Sequence, residues 1–246
     1  MGTTTGRAAP AGRARRRPGA KPAVRLFKHD RSFGERRVAG TDEAGRGCLA
    51  GPLVVAAVCL DLHGLTPSGR RALGDLDDSK RLPEPVRERL AEAIMRHAEQ
   101  VVVMMASPVT IDRDGLHRTN LRLMARALAA LRPCPSLCLV DGFRLGAQAP
   151  PHLAVVGGDR RSASIAAASV IAKTARDRLM AGPVARAYPG FGFDQHVGYA
   201  TPEHHRALRS EGLSPLHRRS FRSAAYPSFP DLMPPADHGG ASIAPG

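Results

Sequence analysis

Hydrophobic and polar positions change their period several times along the chain, alternating between strand-like and helix-like segments. Short apolar runs bounded by Gly, Pro or Asp predict strands, and apolar residues three and four positions apart predict helices. The predicted strands cover residues 38–45, 52–61, 101–107, 136–142 and 152–158. The predicted helices cover residues 84–100, 116–131, 162–180 and 201–212, with Thr201 as the N-cap of the last one. Five strands interleaved with helices predict an α/β domain with one central sheet.

Composition and charge divide the chain into three segments. Of the net charge of +14, residues 1–37 contribute +9, with 11 Lys or Arg against 2 acidic residues, and the rest contributes +5. We therefore predict a disordered basic arm at 1–33, one folded domain at 34–224 and a disordered Pro/Gly-rich tail at 225–246. The arm is either a solubilising tail or a non-specific anchor on nucleic-acid phosphates.

The chain carries no sign of a membrane or secretory protein. No stretch reaches the roughly 18 apolar residues that a membrane span needs, and no apolar core follows the basic N-terminus as it would in a signal peptide. The cysteines are too few and too irregularly spaced for a disulfide framework, and they are Cys48, Cys59, Cys134 and Cys138. We expect reduced core cysteines in a cytoplasmic, monomeric protein.

Four acidic residues stand at the ends of predicted strands. Asp42 and Glu43 end the first strand, Asp141 ends the fourth, and Asp159 directly follows the fifth. Strand ends are where ligand clefts form in open α/β sheets. Carboxylates that share a cleft raise each other's pKa unless cations join them, and oxygen ligands without His or Cys select Mg²⁺ or Mn²⁺ over Zn²⁺. The pattern predicts a divalent-metal site.

Other functional classes fit less well. No Gly-x-Ser-x-Gly turn follows a strand as in an α/β hydrolase, and no phosphate-binding loop of an ATPase is present. His204, His205 and His217 lack the spacing of a zinc site, and we interpret them as surface or phosphate-contacting residues. A metal-free nucleic-acid-binding protein would explain the charge but not the acids, and divalent-metal binding measured by calorimetry would separate the two.

Five blocks of the sequence occur together in an order that identifies a family resemblance. They are Asp-Glu-Ala-Gly-Arg-Gly with Ala-Gly-Pro inside 38–58, Asp78-Ser79-Lys80, Val140-Asp141-Gly142, Gly158-Asp159 with the helix after it, and Gly198-Tyr199-Ala200-Thr201 followed by 215–221. With these blocks, residues 36–222 resemble bacterial type 2 ribonuclease H. A type 3 ribonuclease H is the nearest alternative, and Arg46 favours type 2.

The resemblance implies a ribonuclease H-like fold, in which helices flank a five-stranded mixed sheet and the C-terminal portion is helical. It implies cleavage of RNA in RNA·DNA hybrids and incision at single ribonucleotides in duplex DNA, so the expected partner is nucleic acid. The implied metal-binding and catalytic residues are Asp42, Glu43, Asp141 and Asp159, with two Mg²⁺ or Mn²⁺ ions when substrate is bound.

The resemblance also implies a substrate-binding set. Gly45, Arg46 and Gly47 correspond to the turn that senses the ribose 2′-hydroxyl. Ser79 and Lys80 correspond to the motif near the substrate backbone, and Tyr199 corresponds to the aromatic that packs on the sugar next to the ribonucleotide. The chain departs from the family pattern at Cys48, Ala200 and the pair His196-Val197, none of which is a carboxylate.

Overall fold

A mixed five-stranded sheet forms the centre of the computed structural model, which describes residues 21–223 and Tyr226. The strands are β1 (Arg37–Ala44), β2 (Leu53–Asp61), β3 (Gln100–Ala106), β4 (Leu137–Asp141) and β5 (Leu153–Val155). Their order across the sheet is β3-β2-β1-β4-β5. β1 is antiparallel to β2, β2 is antiparallel to β3, and the β1–β4 and β4–β5 pairs are parallel. The predicted mixed sheet is therefore confirmed.

Helices cover both faces of this sheet. They are α1 (Pro22–Arg31), α2 (Pro67–Ala72), α3 (Glu84–His97), α4 (Pro108–Asp114), α5 (Leu116–Ala129), α6 (Ala163–Leu179), α7 (Ala185–Ala187), α8 (Phe193–His196) and α9 (Pro202–Glu211). α6 packs on one face of β1 and β2 with α1 and α3 outside it, and α5 packs on the opposite face. α7, α8 and α9 form the predicted helical C-terminal portion, and Thr201 caps α9 as predicted. In the described part of the chain, no helix is long and apolar enough to cross a membrane.

Small residues let α6 lie unusually close to β1. Ala166, Ala167 and Ala168 are completely buried in α6. A Cβ on Gly40 of β1 would overlap the backbone of Ser164 and Ile165. This close approach brings the backbone of β1 at Gly40 against the first turn of α6.

The N-terminal helix α1 corrects the predicted domain boundary. Leu26 and Phe27 are buried in the core cluster that contains α6. Asp30 is completely buried and accepts hydrogen bonds from the N–H (2.9 Å) and the hydroxyl (2.8 Å) of Ser164 in the first turn of α6. The disorder predicted for 1–33 is thus wrong for Pro22–Arg31, because an amphipathic helix docks there despite its basic composition.

The remaining terminal predictions fall mostly outside the described residues. Residues 1–20 of the predicted arm and all of the predicted tail except Tyr226 lie there. Tyr226 is buried, and its hydroxyl donates to the carbonyl of Leu49 at 3.2 Å.

Three local predictions also need correction. α3 ends at His97 rather than at residue 100, because Ala98 is extended and leads into β3. β5 is confined to Leu153–Val155, since Gly157 adopts a left-handed conformation (φ 61°) and a 3-10 turn at Gly158–Arg160 follows. The four cysteines are unpaired, but Cys134 is exposed and is not a core residue.

Candidate active site

Two neighbouring parallel strands bring two acids side by side. The last paired residues of β1 and β4 are Thr41 and Val140. Each is followed directly by a carboxylate, Asp42 on β1 and Asp141 on β4. The predicted meeting of strand-end acids therefore occurs at this edge of the sheet.

The electrostatics of this acidic pair oppose ionisation. Asp42 is buried, and its pKa is raised well above the ordinary value by desolvation and then by repulsion from Glu43 and Asp141. Hydrogen bonds from Ser169 and from the Glu43 N–H (2.7 Å) only partly offset these effects. Burial also raises the pKa of Asp141, although the Gly158 N–H donates to its Oδ1 at 2.6 Å. Bound cations would relieve this repulsion.

Glu43 supplies a buried oxygen without a partner. Its Oε2 has no hydrogen-bond partner among residues 21–223 and Tyr226, whereas its Oε1 lies 3.6 Å from Nη1 of Arg46. Within that same part of the chain, no group of three or more His, Cys, Asp or Glu side chains forms a ready-made metal cage. Mg²⁺ usually uses one or two carboxylates together with waters and substrate phosphates rather than an all-protein cage. An oxygen-only donor set with an orphaned carboxylate oxygen fits such an ion.

Asp159 lies at the side of this group. It belongs to the 3-10 turn Gly158–Arg160, and its pKa is raised by burial and then by repulsion from Asp78 and Asp141. Asp78 is a fifth, buried acidic residue in this group, and the sequence did not identify it as one of the metal-binding acids. It accepts hydrogen bonds from the Lys80 N–H (2.9 Å) and from Nε of Arg160 (3.1 Å). The Asp-Ser-Lys block was the signal that could have identified it.

The Asp-Ser-Lys block reaches Asp42 through serine hydroxyls. Ser79 is buried, and its Oγ lies 2.8 Å from Oγ of Ser169 on α6, which is in turn a hydrogen-bond partner of Asp42. Lys80 is exposed, and its charge lowers the pKa of both Asp141 and Asp159. Of the two substrate-binding residues predicted in this block, only Lys80 therefore presents its side chain to solvent.

The two glycines of the Gly-Arg-Gly turn differ in their surroundings. Gly45 has φ +85°, and a Cβ there would overlap Nε of Arg176 and lie 2.5 Å from its Cδ. Gly47 is exposed, and no atom lies within 4 Å of the position that its Cβ would take. Between them, the guanidinium of Arg46 lies 4.9 Å from the ring centre of Phe143. Position 45 thus requires a glycine because the side chain of Arg176 occupies the space of a Cβ, whereas Gly47 leaves open space at the surface.

Two buried arginines, Arg176 and Arg218, hold the segment that follows this turn. Arg176 donates to the carbonyls of Ala50 (2.9 Å), Pro52 (3.0 Å) and Val197 (2.9 Å), and Arg218 donates to those of Arg46 (3.0 Å) and Gly51 (2.9 and 3.1 Å). Charged donors make strong hydrogen bonds to carbonyls. The sequence carried no signal for these contacts, because their partners are backbone atoms more than 20 residues away.

Tyr199 is partly exposed beside this segment. Its side chain is 36% exposed, so it is not an ordinary core residue. Its ring centre lies 5.2 Å from Nζ of Lys173 and 6.0 Å from Cζ of Arg176. Burial raises the pKa of its hydroxyl to about 12, and Cys48 is a hydrogen-bond partner of that hydroxyl. The departure from the family pattern at Cys48 therefore touches a predicted substrate residue.

The interpretation of the histidines as surface residues is wrong for two of the three. His204 and His217 are buried, and their Nε2 atoms lie 3.0 Å apart. His205 is partly exposed. Burial lowers the pKa of His204 and of His217 to about 4.

Comparison with known proteins gives one consistent result. The family model described as ribonuclease HII matches residues 39–224. Ribonuclease HII of Mycobacterium avium (strain 104) is 50% identical over 184 residues, which cover 75% of this chain and 77% of that protein. Ribonuclease HII of Nocardia farcinica (strain IFM 10152) is 50% identical over 186 residues, which cover 76% and 72%.

Solved structures support the fold. Ribonuclease H2 from Pyrococcus horikoshii OT3 is similar with a TM-score of 0.65 and 27% identity over 76% of this chain and 94% of that chain. The ribonuclease HII in the PCNA complex from Archaeoglobus fulgidus gives 0.63 and 28% over 76% and 95%. The Mn²⁺ complex of Bst ribonuclease HIII shares the fold, with a TM-score of 0.58 at 23% identity over 86% and 73%. The chain belongs to the ribonuclease HII family and is an endoribonuclease.

Proposed function

We propose that this endoribonuclease cleaves the RNA strand of RNA·DNA hybrids and incises duplex DNA on the 5′ side of a single ribonucleotide, leaving 3′-hydroxyl and 5′-phosphate ends. The observation that carries the proposal is the position of the Gly-Arg-Gly turn beside the carboxylates. Arg46 lies 3.6 Å from Glu43, and the space around Gly47 is open. A protein distinguishes RNA from DNA by contacting the 2′-hydroxyl, and this turn can approach one next to the acids.

Asp42, Glu43 and Asp141 would hold Mg²⁺ or Mn²⁺ at the strand ends, and Asp159 would contribute from the side of Asp141. Two such ions, if bound with substrate, would supply the means to activate a water and to stabilise the leaving 3′-oxygen. The protein's own part is to fix the carboxylates: Ser169 and the Glu43 N–H orient Asp42, and the Gly158 N–H orients Asp141. The buried, partnerless oxygen of Glu43 supports this assignment.

The substrate would be held by groups around this centre. Lys80 is an exposed cation near Asp141 and Asp159, which suits contact with a backbone phosphate. Tyr199 offers an aromatic ring for the sugar next to the ribonucleotide. Ser79 is buried, so we assign it to supporting Ser169 and Asp42 rather than to direct side-chain contact with nucleic acid.

The compartment, the oligomeric state and the partner of the enzyme are proposed from the sequence. Unpaired cysteines support a reducing, cytoplasmic compartment, and we expect a monomer whose partner is nucleic acid. The basic residues 1–20 would add a non-specific phosphate anchor.

Three duplexes test the proposal: one with a single ribonucleotide in DNA, one long RNA·DNA hybrid, and one of DNA only, each with and without Mg²⁺ or Mn²⁺. We expect metal-dependent cutting of the first two, with the single cut on the 5′ side of the ribonucleotide. Tyr199→Ala should impair the single-ribonucleotide duplex more than the hybrid, where several registers are available. Cleavage on the 3′ side, a 2′,3′-cyclic phosphate product or equal cutting of plain DNA would refute the proposal.

A further inference from the structure

Three buried histidine rings form a cluster that contacts the backbone at Gly198 and Tyr199. His196, His204 and His217 are 7%, 0% and 2% exposed. The rings of His196 and His204 are stacked with centroids 4.3 Å apart, and Nε2 of His204 lies 3.0 Å from Nε2 of His217. The ring of Phe193 packs against all three with centroids within 6.1 Å. Polar atoms in such a buried cluster need hydrogen-bond partners.

Backbone donors determine where the proton of His196 lies. The Gly198 N–H donates to Nδ1 of His196 at 3.1 Å, so this nitrogen carries no proton. Its Nε2, 2.8 Å from the Phe191 carbonyl, must then carry the proton and donate it. These two contacts together define one tautomer of the His196 ring.

Backbone groups also determine the proton positions of His217 and His204. The Ser214 N–H donates to Nδ1 of His217 at 3.0 Å, which leaves the proton on Nε2 of His217. That proton is donated to Nε2 of His204, so His204 carries its own proton on Nδ1 and donates it to the Tyr199 carbonyl at 2.8 Å. Burial and neighbouring histidines keep the pKa of both rings at about 4, which agrees with neutral rings at pH 7.

The backbone held by these rings adopts conformations that side chains rarely take. Val197 has φ +43°, in the left-handed region where a β-branched residue is strained, and Gly198 has φ +87°. The Gly198 carbonyl accepts hydrogen bonds from the N–H groups of Leu49 (2.9 Å) and Ala50 (3.3 Å), just after the Gly-Arg-Gly turn. Contacts from other residues must therefore maintain the backbone at Val197 and Gly198, and the histidines provide two of these contacts.

We propose that His196, His204 and His217 are positioning residues for Tyr199. His196 fixes the Gly198 N–H, and His204, supported by His217, fixes the Tyr199 carbonyl. Together they aim the Tyr199 ring at the nucleotide to be recognised, without touching the nucleic acid themselves. This inference rests on the proposed function of Tyr199 as the aromatic that packs on the sugar.

A matched pair of variants at His204 tests the role. His204→Asn keeps an N–H donor near the position of Nδ1, whereas His204→Leu has similar bulk and no donor, and neither can keep the bond to His217. We expect His204→Leu to reduce incision at a single ribonucleotide by about tenfold or more, equivalent to about 1.4 kcal/mol of transition-state binding. His204→Asn should recover most of that activity, and the long hybrid should be cleaved at nearly the wild-type rate by both.

A double-mutant cycle separates positioning from general support of the fold. In a Tyr199→Ala background, His204→Leu should cause little further loss on the single-ribonucleotide duplex, because the ring that it positions is already absent. Additive losses, or equal losses on the hybrid, would overturn the inference. Failure of the wild-type enzyme to incise the single-ribonucleotide duplex would instead overturn the proposed function.

Nitrogen-15 NMR of the wild-type imidazoles provides a test that needs no variant to fold. At pH 7 we expect the proton on Nε2 of His196 and His217 and on Nδ1 of His204. Any other tautomer, or a doubly protonated ring among the three, would contradict the network.

Discussion

Gly45→Ala should destabilise the fold strongly, whereas Gly47→Ala should leave stability unchanged and lower activity. At Gly45 a methyl group would overlap Nε of Arg176 and would have to be accommodated at φ +85°. Displacing Arg176 from two of its three carbonyl partners would cost about 3–6 kcal/mol, at about 1.5–3 kcal/mol for each bond from a charged donor. The left-handed backbone adds about 1–2 kcal/mol for a residue with a Cβ. We expect Gly45→Ala to lose at least about 4 kcal/mol of unfolding free energy, or roughly 8–16 °C in Tm.

Gly47→Ala is the matched control, since its Cβ would point into open space. Thermal unfolding followed by circular dichroism should leave its Tm unchanged, while incision at a single ribonucleotide falls because the methyl group stands where the sugar must approach. Hybrid and single-ribonucleotide cleavage should be measured for both variants at the same temperature, below the Tm of the weaker one. An unchanged Tm for Gly45→Ala, or full activity for Gly47→Ala, would refute this account of the turn.

Three further predictions concern Asp42, the buried histidines and residues 1–20. Asp42→Asn should lower turnover by orders of magnitude under saturating Mg²⁺ while the metal-free Tm does not fall, because a desolvated and repelled charge is removed; near wild-type turnover would disprove the metal role. Unfolding free energy should decrease as pH falls from 6.5 to 4, because His204 and His217 have pKa values of about 4 when folded and regain the usual 6.5 when unfolded, so the unfolded chain takes up protons first. The loss is at most about 3.4 kcal/mol per ring, at about 1.36 kcal/mol for each pKa unit, and urea titrations of His204→Asn should show a shallower pH dependence; an equal slope would exclude His204 as its source. Deleting residues 1–20, rather than the whole predicted arm, should preserve folding and reduce the slope of log K against log salt by about 0.9 for each phosphate that the arm neutralises; a constant slope would make the arm an inert tail.

The sheet and the three central acids could be predicted because local patterns determine them. β1, β2 and β4 are apolar runs that end in recognisable turns, and the alternation of strands and helices predicts one central sheet. Asp42 and Asp141 each stand at the end of such a strand. Because ligand clefts form at strand ends in open α/β sheets, their proximity could be predicted.

The features that the sequence did not predict depend on distant partners. The α1 helix has a basic, arm-like composition, and only its burial of Leu26 and Phe27 on a distant core reveals it as part of the domain. The requirement for Gly45 comes from Arg176, which is 131 positions further along the chain. A histidine such as His204 looks like a surface residue until the partners that satisfy both of its nitrogens are known.

The docking of α1 also has a consequence for the order of events during translation. Asp30 accepts its hydrogen bonds from Ser164, which lies 134 residues further along the chain. At about 5–20 residues per second, roughly 7–27 s separate the synthesis of these two residues. During that interval the nascent chain carries α1 with Leu26 and Phe27 not yet covered by α6. The domain therefore closes late in translation, and a chain released before α6 is made leaves its first helix without the surface on which it packs.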